Sequence, residues 1–152
     1  DPALGRMKIG VQMSGDDGGG TPPSYMLAKL GLADRLRGYP MYDDYTAENR
    51  PARIVDALAS GEIDAAAVWG PLAGYYLPRA SVPLRASLLA GPPAGPMQMS
   101  FDIAIAVRKD DAALAQQLDN VIERRRTDIE TILRAFHVPL TGTPENSRGG
   151  RP

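Results

Sequence analysis

The chain has no cysteine. That removes disulfides, thiolate nucleophiles and zinc–thiolate sites together, and it leaves the redox compartment open. Histidine is almost as scarce, with His137 alone. There is no Gly-x-Ser-x-Gly elbow, so a Ser-His-Asp triad is hard to build. Neither charge is in excess: 17 Lys and Arg stand against 18 Asp and Glu, for a net charge of -1. No broad basic field therefore invites nucleic acid. Long apolar runs are missing too. Stretches such as Ala65 to Trp69 fall far short of the roughly 20 residues a membrane span needs. Asp1 to Gly5 shows neither the basic leader nor the apolar region of a secretory signal, as expected of a processed chain or an internal segment alike.

What is present describes one domain with a sizeable core: 152 residues, 43% of them hydrophobic. The 16 glycines and 14 prolines cluster between periodic segments, as loop punctuation. Met7 to Met13 reads as a buried strand ending in the turn cluster Ser14 to Gly20. Thr21-Pro22-Pro23-Ser24 opens a helix, since proline loses nothing in a first turn. Met26, Leu27 and Leu30 have helical spacing, and Gly31 is the stop. A short helix over Ala33 to Leu36 and a strand over Tyr39 to Tyr42 follow. Asn49 is placed to cap a helix with Pro51 in its first turn, apolar stripe Ile54, Val55 and Leu58, and end at Gly61. Ile63 to Trp69 reads as a buried strand broken by Gly70-Pro71, and Leu72 to Leu77 as a short helix.

Leu84 to Leu89 and Phe101 to Val107 are further strand candidates on either side of a turn-rich crossing, Ala90 to Pro96. From Asp110 the pattern is helical. Leu114, Leu118, Val121 and Ile122 share a face; Ile129, Ile132, Leu133 and Phe136 continue it. Thr127 and Glu130 have capping-box spacing for a second helix. Residues 141–152 read as a polar, flexible tail. Strands alternating with helices predict an α/β fold with a largely parallel sheet.

Four stretches are candidates for function. The loop Gly15-Asp16-Asp17-Gly18 with Thr21 joins a strand end to a helix start, where open α/β folds bind ligands. It lacks the Gly-Lys-Ser/Thr of a phosphate loop, and its aspartates would repel an anion; the plainer alternative is a helix-capping turn. Trp69, Gly70 and Tyr75 put aromatic groups at a strand end, suited to an apolar ligand or a protein partner, with ordinary core packing as the alternative. Asp16, Asp17, Asp43, Asp44 and Glu48 are hard-cation donors without metal-loop spacing, and turn roles suit them better, so no metal site is assigned. Arg124-Arg125-Arg126 reads as a solvated face, and His137 as a helix-end cap.

The stretches Ile9-Gly10-Val11-Gln12, Gly15-Asp16-Asp17-Gly18, Thr21-Pro22-Pro23, Gly38-Tyr39 and Pro51-Ala52-Arg53-Ile54 carry a family resemblance. So do Gly61-Glu62-Ile63-Asp64, Val68 to Tyr75 (Val-Trp-Gly-Pro-Leu-Ala-Gly-Tyr) and Phe101-Asp102-Ile103-Ala104. In this order, up to about Pro139, the sequence resembles the MxaJ/XoxJ proteins, periplasmic accessory proteins of quinoprotein methanol dehydrogenase systems. The lanthanide-dependent XoxJ branch is preferred. The resemblance implies a type II periplasmic solute-binding-protein-like fold. Residues 1–100 match its second α/β lobe, 101–140 its return strand and C-terminal helices, and 141–152 form the tail. The first lobe has no counterpart in these residues.

The resemblance further implies a non-catalytic role with no cofactor of its own, partnered by a PQQ methanol dehydrogenase, with its cytochrome c as a further candidate partner, and a small-molecule ligand left open. Amino-acid-binding relatives usually carry an aspartate where Trp69 stands, which argues against a free amino acid. A transporter-linked receptor for a small non-amino-acid solute is the alternative, and a hydrolase or transferase built on the Gly-Asp-Asp loop a weaker one. The stripe Leu114, Leu118, Ile122, Ile129, Ile132, Leu133 and Phe136 is expected to meet the first lobe or a second copy of the chain, the latter as a homodimer.

Overall fold

The computed structural model describes residues 3–14, 20–41, 50–89 and 98–141. Its centre is a three-stranded parallel sheet in the order β2-β1-β3, with β1 Ile9–Met13, β2 Leu36–Pro40 and β3 Ala65–Ala67. Ile9 is the register partner of Leu36 on one side and Ala65 on the other. Parallel strands need crossover connections, which cover both sheet faces. The crossovers here contain α1 Pro22–Leu27 and α2 Arg53–Ala59; α3 Gly70–Tyr76 follows β3.

Side chains of β1 alternate between the two layers. Ile9 and Val11 are buried with Leu27 of α1, against Met7, Leu36 and Ala67. On the other face Ile54, Val55 and Ala57 of α2 pack with Tyr39 and Ile63, joined by Leu72 and Tyr76 of α3. Gly10 faces this second layer: a Cβ there would stand 2.5 Å from Ile63 Cδ1 and 3.2 Å from Ile54 Cγ1. The glycine lets α2 and Ile63 close over the central strand.

Several boundaries follow the sequence signals. Gly31 leaves the helical region at φ 79° and ends the turn after α1; Gly61 does the same after α2 at φ 78°. Pro51 sits in the short 3-10 turn Arg50–Ala52 that leads into α2, while its expected cap, Asn49, lies outside the described residues. Other boundaries shift. The strand expected over Tyr39 to Tyr42 runs from Leu36 to Pro40, the one expected over Ile63 to Trp69 pairs only at Ala65–Ala67, and the helix expected over Ala33 to Leu36 is a single 3-10 turn, Ala33–Arg35.

Two predicted strands do not form. Leu84–Leu89 and Phe101–Val107 make no ladder with the sheet. A strand needs a neighbour for its backbone groups, and among the described residues no layer covers Phe101, Ile103 and Ile105, with Ile103 78% exposed.

The C-terminal helices are α4 Ala112–Arg124 and α5 Arg126–Ala135. The predicted cap at Thr127 is displaced. The helix starts one residue earlier, and the Thr127 carbonyl instead accepts a hydrogen bond from the Thr131 hydroxyl at 2.8 Å. The arginine run pairs locally, Arg125 with Asp128 at 3.0 Å and Arg126 with Glu123 at 2.6 Å. Exposed pairs of this kind add little stability.

Candidate functional site

Strand order reverses beside β1, so the crevice between the C-terminal ends of β1 and β3 is the switch point at which open α/β sheets take ligands. Gln12 occupies it. The residue is 5% exposed, and a buried amide needs partners. Its Oε1 accepts a hydrogen bond from the Trp69 backbone N–H at 2.6 Å. Its carbonyl accepts one from the Thr21 hydroxyl at 2.8 Å. One residue of the central strand thus ties together the start of α1 and the start of α3.

Thr21 stands at the N-cap position of α1, yet its hydroxyl does not cap the helix. It points back to Gln12, while the Ser24 hydroxyl donates to the Thr21 carbonyl at 2.7 Å. The expected ligand-binding role of Thr21 therefore meets a hydroxyl already bonded within the chain. Gly15, Asp16 and Asp17 of the same loop, and Asp43, Asp44 and Glu48, lie outside the described residues.

Trp69 precedes α3 with extended backbone, φ -60° and ψ 130°. Its backbone is held by Gln12, but the residue is 52% exposed. Strand pairing stops at Ala67, so the indole is not drawn into the sheet's core. Gly70 and Pro71 form the first turn of α3. Tyr75 is 41% exposed and carries the Arg79 guanidinium over its ring, 4.0 Å from the centroid. Tyr76 meets it edge-on at 5.0 Å. Such aromatic–cation stacking fixes a flat, amphipathic surface.

Beside Gln12 in the sheet register is Tyr39. Its hydroxyl donates to Glu62 Oε1 at 3.1 Å. Burial holds the phenol above its ordinary value of 10.0, and the bond to Glu62 pushes the same way, with Arg53 and Arg37 opposing. A separate hollow lined by Ala3, Arg6, Met7 and Asp64 lies at the other end of the strands, where the Asp64 carboxylate takes the Lys8 N–H at 2.7 Å.

Among the described residues no three His, Cys, Asp or Glu side chains gather as a cation site. What the crevice offers is a set of hydrogen bonds already made and an open aromatic surface, which suits binding. The structure brings Thr21 and Trp69 together through Gln12, a residue the sequence reading passed over as a site. Its signal was a polar side chain at the end of an apolar strand. Gly70 is placed by packing, since a Cβ there would stand 2.6 Å from Pro139 Cγ. The helical stripe forms a second surface. Leu114, Val121, Ile122, Ile129, Ile132 and Phe136 are exposed, with Leu118 and Leu133 partly covered.

The parallel sheet, its switch-point crevice and the trailing helices make an open α/β fold, the class to which the lobe of a periplasmic binding protein belongs. No protein-family model matches the sequence. Protein MoxJ of Methylorubrum extorquens is 32% identical over 136 residues, covering 81% of this chain and 45% of that protein. The crystal structure of MxaJ from Methlophaga aminisulfidivorans MPT superposes with a TM-score of 0.70 at 23% identity, over 92% of this chain and 59% of that one. The chain belongs to the MxaJ/XoxJ family, and it spans about half the length of the relatives it matches.

Proposed function

We propose that the chain serves in a periplasmic accessory protein of methanol oxidation. It binds rather than catalyses, and it assists the activation or assembly of a PQQ-dependent methanol dehydrogenase, with the lanthanide-dependent branch preferred. The observation that carries this reading is the relationship to MoxJ. The half-exposed Trp69, fixed at its backbone and open at its ring, supports a partner-binding surface, because rigid aromatic anchors dominate interface energetics.

The test is turnover of purified methanol dehydrogenase with its cytochrome c acceptor while protein carrying this chain is added. A saturable rise that Trp69→Ala abolishes supports a partner-binding activator. No change with a dehydrogenase already loaded with cofactor and metal removes the activator role; a tight small-molecule ligand found by calorimetry would then favour the solute-receptor alternative.

The face of α4 and α5 is the second proposed contact. Its occupant in this reading is a second copy of the chain, because a two-fold axis lets one apolar stripe cover itself. Each Å² of apolar surface so covered is worth about 25 cal/mol.

A further inference from the structure

The C-terminal helices are joined to the α/β unit by a tight seam that their apolar stripe does not supply. Neither α4 nor α5 has a buried residue. The turn after α5 is different. Val138 N–H donates to the Leu133 carbonyl at 2.9 Å and His137 N–H to the Arg134 carbonyl at 2.9 Å, the pair of hydrogen bonds of a helix end closed by a left-handed residue. That residue is His137, at φ 54°. The turn lies on the glycine face of α3. A Cβ on Gly74 would meet the His137 and Phe136 carbonyls, the latter at 2.8 Å, and one on Gly70 would stand 3.1 Å from Pro139 Cδ. Gly70 and Gly74 are four apart, on one side of the helix. The opposite side of α3 packs through Leu72 and Tyr76 into the core.

We propose that Gly70 and Gly74 are positioning residues that seat the C-terminal helices on α3. The helix that follows Trp69 then also carries α4 and α5. Displacing the turn releases α4 and α5 and disturbs Trp69, whose backbone is fixed one residue before Gly70. The use made of α4 and α5 rests on the partner-binding reading; the seam itself does not.

The absence of cysteine and the single tryptophan make the test clean. Spin labels are placed through Asp56→Cys on α2 and Asn120→Cys on α4 of the full chain, the labelled chain is diluted into excess unlabelled chain so that only distances within one chain are read, and their distance distribution and the Trp69 emission are measured. The parent should give one narrow distribution. Gly74→Ala should broaden it and shift the emission, and Gly70→Ala should do the same. Pro139→Ala, which removes the ring carbons facing residue 70, should restore Gly70→Ala but not Gly74→Ala, where the clash is with backbone. Ile132→Ser on the apolar stripe should leave the distribution narrow.

The inference is overturned if both glycine variants keep the narrow distribution, or if Ile132→Ser broadens it equally. If Gly74→Ala loses its circular dichroism, the Gly70→Ala and Pro139→Ala pair decides. Partner binding is read separately from dehydrogenase turnover, so a failed seam and a failed partner reading give different results.

Discussion

The buried side chain of Gln12 accepts the backbone N–H of Trp69 at 2.6 Å. This one bond links the central strand to the residue immediately before α3 and fixes where the exposed indole stands. In Gln12→Leu that N–H loses its acceptor without a large change in volume. The N–H is partly buried, so its loss of a partner costs at most the roughly 1–3 kcal/mol of a fully buried unsatisfied group. Urea unfolding followed by Trp69 fluorescence should show a lower midpoint, and the folded-state emission should shift. An unchanged midpoint would mean that water replaces the amide at no cost.

Tyr39 gives a pH prediction. Its phenolate is the charged form, and burial disfavours charge, so the folded-state pKa lies above the ordinary 10.0. As pH rises the unfolded chain loses its proton first, and the folded state loses ground. Stability from this group is complete below pH 10.0 and declines above it, through the raised pKa. Urea midpoints across this range should fall less steeply in Tyr39→Phe than in the parent.

Gly10 tests the closeness of the layers. A methyl there would crowd Ile63 Cδ1 at 2.5 Å and Ile54 at 3.2 Å. Overpacking of a filled core typically costs about 1–3 kcal/mol. Thermal unfolding of Gly10→Ala should show that loss, and Gly5→Ala, which meets nothing within 4 Å, should not.

His137 adopts φ 54°, a region that penalises a Cβ. His137→Gly removes the penalty at some entropic cost in the unfolded chain. Denaturant titration should show stabilisation on the order of 1 kcal/mol. A loss instead would mean that the imidazole makes a compensating contact.

The apolar face of α4 and α5 predicts self-association. Sedimentation velocity should show a monomer–dimer equilibrium that Ile132→Ser moves toward monomer, because Ile132 is 58% exposed on that face. A monomer at every concentration removes the second copy as its occupant. Dimerisation unaffected by Ile132→Ser would place the interface elsewhere.

Much of the α/β unit is legible in the residues. Ile9 to Met13 has the composition of a buried strand, Ile54, Val55 and Leu58 have helical spacing, and Gly31 and Gly61 end their helices by adopting positive φ. Phe101 to Val107 misled for a physical reason. Alternation reports that a segment could be half-buried, while pairing depends on a neighbouring strand and a covering layer. The same holds for Thr127 and Glu130, whose spacing fits a cap but whose helix continues almost directly from α4.

The site was half legible. Trp69 next to Gly70-Pro71 marked itself by composition, since a strand broken directly after an aromatic leaves that aromatic at an edge. Gln12 and Gly74 did not. Their roles come from residues far along the chain, Trp69 and His137, that only folding brings near. The sequence by itself determined the alternation of strands and helices, the absence of thiol chemistry and the amphipathic faces, because these follow from local spacing and side-chain type. Tertiary structure alone decided which strands pair, which hydroxyl is spent within the chain, and that two glycines of α3 receive the turn ending α5, because those outcomes depend on distances between segments that sequence spacing does not encode.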